Sequence, residues 1–150
     1  IVHLPAVNTP QFEWARNKMP RRAQPVPPIF QPEVPARAIH HFSRHPRREM
    51  WVGGSTYQAI LGQRIMPAYL DHMMSRTAWA GQTTQERSRI RPDNLYETVP
   101  GPYAAHGRFD ERASAGSPVT WAAENRGAVG LAFAAIGALL GAVVVRNVRR

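Results

Sequence analysis

Nineteen consecutive residues toward the carboxyl end, Gly127 to Val145 (GAVGLAFAAIGALLGAVVV), carry no charge, no proline and no strongly hydrogen-bonding side chain. At a rise of 1.5 Å per residue they reach about 28 Å, close to the thickness of a bilayer's hydrocarbon core. A core helix of a soluble protein keeps a polar stripe, and none can be drawn here at any phase. The stretch predicts a transmembrane helix, and the rest of the chain has to be compatible with an anchor.

Small residues in this stretch are in phase. Gly127, Gly130, Ala134, Gly137 and Gly141 recur at alternating steps of 3 and 4, so one side of the helix is a shallow groove. Helices in lipid have no hydrophobic drive to meet, and close backbone approach at such a groove supplies much of their attraction. These five positions are the candidate helix-packing residues. Trp121 and Arg126 fall where one membrane interface belongs, and Arg146, Arg149 and Arg150 mark the other. The basic tail mildly favours a carboxyl terminus in the matrix, stroma or cytosol.

Upstream, the prolines set the expectation. Nine of the 14 lie within the first fifty residues, which disfavours regular helix or central strand there. Residues 1–50 therefore read as an extended Pro/Arg-rich arm, with Pro20 to Pro35 a polyproline-like strap anchored by Val26, Ile29, Phe30 and Val34. Thr9-Pro10 opens one short helix in it. Arg37, Arg44, Arg47 and Arg48 form a basic patch for an acidic partner or an anionic lipid surface; phosphates of nucleic acid are disfavoured by the membrane helix. His41 and His45 have metal-gripping spacing, but Pro46 ends that turn and no carboxylate stands at ligand distance.

The net charge of +9 comes almost wholly from arginine, and cysteine is absent. Disulfides, thiolate-held zinc and cysteine-ligated iron–sulfur clusters are thereby excluded. Residues 51–91 read as a short helical hairpin: Ser55 to Gln58 has a capping-box pattern, Pro67 opens a second helix to Trp79, and Thr83 to Glu86 repeats the box ahead of further turns. Residues 92–117 form an irregular connector, and 118–150 are the transmembrane helix with its basic tail, capped by Ser117. The expected fold class is mostly α with extensive irregular structure: a single carboxyl-terminal transmembrane helix, short helices and an extended Pro-rich amino-terminal arm.

No phosphate loop, nucleophile elbow, dinucleotide fingerprint or zinc spacing is present, so no catalytic, cofactor-binding or metal residue is assigned and no cofactor is expected. The chain starts with Ile1, which suggests a removed targeting peptide or numbering from inside a longer precursor. In layout it resembles a supernumerary single-pass subunit of an organellar energy-converting complex. The expectation is a non-catalytic accessory subunit of a mitochondrial inner-membrane respiratory complex, complex I or a neighbour, partnered by other subunits and the bilayer. The alternatives are the same role in a thylakoid photosynthetic complex, and a tail-anchored adaptor of the mitochondrial outer membrane.

Overall fold

The computed structural model describes residues 1–101 and 104–148. It overturns the expected fold class: among these residues are six α-helices and seven short strands in three sheets, an α/β fold with no extended arm. The first fifty residues hold β1 (Val2–His3), β2 (Ala6–Val7), α1 (Gln11–Trp14), β3 (Arg21–Ala23), β4 (Ile29–Phe30), α2 (Glu33–Arg44) and β5 (Met50–Trp51). Then follow α3 (Gly54–Ile65), α4 (Pro67–Gln82), β6 (Thr83–Arg87), a 3-10 turn (Asp110–Arg112), β7 (Ala113–Ser114), α5 (Pro118–Glu124) and α6 (Arg126–Val148).

The prolines permit this because they stand at ends. Pro10 and Pro32 precede the first turns of α1 and α2, and Pro35 lies in the first turn of α2, where a missing amide costs no helical bond. Pro5 separates β1 from β2, so one extended run serves two sheets: β1 pairs parallel with β5, and β2 pairs parallel with β4, which pairs parallel with β7. α2 links β4 of the three-stranded sheet to β5 of the two-stranded one. Its Val34 and Ala38 close over Phe30, Met50 and Val52, with Val2 and Phe42 at the margin. Each large side chain in that cluster contributes about 1.5–3 kcal/mol through burial. Three of the supposed strap's anchors, Ile29, Phe30 and Val34, are thus buried in the body, while Val26 is exposed.

Immediately after β5 the chain turns at Gly53, whose φ of 79° is a left-handed conformation that disfavours side chains, and an added Cβ would lie 3.1 Å from the Phe30 ring. α3 and α4 occupy the stretch read as a helical hairpin, with α4 running on to Gln82 beyond Trp79, and no side chain caps the start of α3. The second capping box is corrected: Thr83 to Arg87 is strand, antiparallel to β3. Thr83 Oγ1 donates back to the Trp79 carbonyl at 2.8 Å instead of capping forward, and pairing with β3 decides the outcome over local preference.

Ser117 caps α5 as expected, its hydroxyl accepting from the Thr120 amide at 3.2 Å. The expected unbroken helix is interrupted at Asn125, where φ is −112°, and α6 starts at Arg126. α6 is long and apolar enough to cross a membrane, and none of its apolar window is buried against the body.

Candidate functional site

Three places gather chemistry. The first lies beyond the parallel strands. Asn8 follows β2 and is fully buried. Its Nδ2 donates to Gln31 Oε1 at 3.0 Å and to Asp110 Oδ1 at 2.8 Å, while its Oδ1 accepts from the Phe109 amide at 3.1 Å. Gln31, which follows β4, also donates to Asp110 Oδ1 at 3.0 Å. His106 then bridges two carboxylates, with Nδ1 3.0 Å from Asp110 and Nε2 2.7 Å from Glu33 at the start of α2. Bonds to Glu33 and then Asp110 raise His106 above its ordinary pKa; the His106 bond lowers Glu33, and the bonds from Gln31 and then His106 lower Asp110. Gly107 is obligatory here, since a Cβ would meet the Thr9 carbonyl oxygen at 2.5 Å.

Both ring nitrogens of His106 are engaged and Asp110 Oδ1 accepts three bonds, so this network fastens the 106–112 segment to the strand ends. Beside it an open groove of about 680 Å³ runs along Leu4, Val7, Phe12, Val26 and Ile39, with Thr9, Gln24 and Gln82 as polar points. It runs along β2 itself, the edge strand of its sheet, from Leu4 and Pro5 before it to Thr9 beyond it, and passes Pro32, Pro35 and Ile39 at α2. Its lining matches the pattern of small-molecule sites, mainly apolar with few polar groups. Of the groove residues Val26 was named from the sequence, as a strap anchor; positions 8, 31, 33, 106 and 110 have no spacing that a motif could carry.

The second place is the basic patch on α2. The four arginines do not act together. Arg37 donates to the Ala115 carbonyl at 3.0 Å and Arg47 to the Ala123 carbonyl at 3.2 Å, so the first holds the segment leading into α5 and the second holds α5 itself. Arg44 and Arg48 are exposed, and the Arg48 carbonyl accepts from the chain's amino terminus at 2.9 Å. His41 and His45 stack with ring centroids 4.4 Å apart, and no group of three metal-ligating side chains occurs among the described residues.

The third is α6. At 100° per residue, Gly127, Gly130, Ala134, Gly137 and Gly141 fall within an arc of about 80°. Nothing lies within 4 Å of a Cβ added at any of the four glycines, so the groove is open. Leu131, Phe133, Ile136, Leu139, Leu140 and Val143 cover the remaining surface and are all more than half exposed. Trp121 is exposed on α5, one helix earlier than the apolar stretch itself. Arg126 and Arg146 are exposed at the two ends of α6, while Arg149 and Arg150 lie outside the described residues.

No protein-family model matches the chain, and no solved structure matches it. Over 101 residues it is 26% identical to a Bacillus subtilis (strain 168) protein named "Uncharacterized oxidoreductase YxnA", an alignment covering 65% of this chain. The matched region spans 28% of the length of that relative.

Proposed function

We propose that this chain belongs to a membrane-tethered oxidoreductase, its α/β body presenting the apolar groove along β2 and α6 crossing a bilayer. The similarity to the Bacillus oxidoreductase carries the reading. Leu4, Phe12, Val26 and Ile39 hold the apolar part of a substrate, and Thr9, Gln24 and Gln82 orient its polar end. A lipid-soluble substrate suits a groove kept near a membrane by an apolar helix. The test is turnover of long-chain alcohols and aldehydes by the native protein in mild detergent, followed through the absorbance of a nicotinamide or flavin carrier. Groove-filling Ile39→Trp is expected to raise KM roughly tenfold, the worth of about 1.4 kcal/mol of lost binding. Absence of turnover with every carrier and chain length overturns the reading.

The open groove of α6 favours a second reading, an accessory single-pass subunit of a mitochondrial inner-membrane respiratory complex or of its thylakoid counterpart. Its strap no longer contributes, since residues 1–50 are folded into the body. Co-migration with a large complex after mild solubilisation, identified by mass spectrometry, supports this role; migration alone removes it and leaves a free anchored protein.

A further inference from the structure

The β3–β6 sheet brings like charges together. Its register sets Arg21 directly opposite Arg87, a placement that weakens an antiparallel ladder unless something answers the charge. Arg21 turns to Gln85, a neutral partner. Among the described residues the side chains of Arg87 and Arg89 have neither an ion pair nor a hydrogen bond. Both are exposed on a cleft of about 600 Å³ that Arg22 and Arg91 also line, with Asn17 and Ser88 as uncharged polar groups.

Carboxylates do not balance this cleft. Glu86 is bonded to Arg22 at 3.1 Å. Glu13 answers three guanidiniums at once: Arg22 at 2.5 Å, Arg91 at 3.4 Å and Arg108 at 2.8 Å. Burial and then the neighbouring Arg22 charge lower the Arg108 pKa, as expected where cations crowd. Asn17 Nδ2 donates to Ser88 Oγ at 3.2 Å, which fixes the polar groups between the arginines. Guanidinium forks spaced along one strand and its extension match the oxygens of a phosphate group better than a point cation would.

We propose that this cleft binds a phosphate group, with Arg87 and Arg89 as its free ligands and Arg22 and Arg91 fixed behind them by Glu13. The site is independent of the oxidoreductase reading. Two sources share the chemistry: the headgroup of an anionic lipid and a soluble phosphorylated compound. The full chain is placed in nanodiscs of phosphatidylcholine and titrated with pyrophosphate by calorimetry, and a second preparation contains a minority of phosphatidic acid. Heat of binding in the first identifies the soluble source. A raised unfolding temperature in the second, without a pyrophosphate response, identifies the headgroup. Either response is expected to weaken with salt and to fall roughly tenfold in the double variant Arg87→Gln/Arg89→Gln, which leaves the Glu13 contacts in place. No response in either preparation, a response undiminished in the double variant, or retention of an RNA oligonucleotide alone would each overturn the site.

Discussion

Asn8 shows how much one polar side chain can hold when it is buried among matched partners. It joins the end of β2 to the residue after β4 and to a segment about a hundred positions further along the chain. Asn8→Ala leaves the buried Phe109 amide and one Asp110 acceptor without their bonds, and is expected to destabilise the body by about 2–4 kcal/mol. Urea unfolding measures this, and a loss below about 1 kcal/mol would mean that water replaces the amide in full. The His106 clasp adds a pH dependence whose sign is fixed by its partners, Glu33 and Asp110, with Arg37 acting on Glu33. Its histidine part is complete below the ordinary value of 6.5 and is lost as pH rises through the raised folded value. Its carboxylate part is complete above the ordinary values of 4.5 for Glu33 and 3.8 for Asp110, and is lost as pH falls through the lowered ones. Hydrogen-exchange protection of the Phe109 amide should therefore be greatest between pH 4.5 and 6.5. A maximum in alkaline solution would rule out the clasp.

Elements differ in how plainly the sequence announces them. α4, α5 and α6 declare themselves through Pro67, the Ser117-Pro118 cap and an unbroken apolar run, all of them local signals. The parallel strands do not: each is two residues long, and Ile29-Phe30 or Met50-Trp51 shows no alternation to distinguish strand from strap. Their existence is decided by partners far away in sequence, and so is the pairing that takes Thr83–Arg87 away from helix. Proline density misleads for the same reason, since its effect depends on whether each ring stands at an end or inside an element. The groove and the His106 network follow from those pairings and were illegible with them. For α6, whose groove is legible, Gly137→Leu/Gly141→Leu is expected to retain membrane insertion, because hydrophobicity rises, while any co-purifying helix is lost. Carbonate extraction and size separation read the two effects apart, and undisturbed association in the double variant would show that the glycine face does not pack.

At the scale of the whole molecule, α6 follows the body through the short link at Asn125, and its first residue, Arg126, shares a cleft with Arg47, Trp51 and Tyr57. α5 is held to the body by Arg47 on the Ala123 carbonyl and by Thr120 Oγ1, which accepts from the buried Gly53 amide at 2.9 Å. α6 returns no buried apolar surface to the body, so its removal should leave the core of Phe30, Val34, Met50 and Val52 intact. A chain ending at Asn125 is expected to unfold within about 1 kcal/mol of the parent, the scale of changes far from buried contacts. The same chain should leave the membrane fraction, since a helix of this length and composition carries the insertion free energy. Persistent membrane association would point to the exposed apolar side chains of α3 and α4, among them Ile65, Tyr69, Met74 and Trp79, as a second contact with lipid. Loss of the fold along with the anchor would instead mean that α6 supports the body through contacts absent from this structure, and would unseat the division between catalytic body and tether on which the oxidoreductase reading depends.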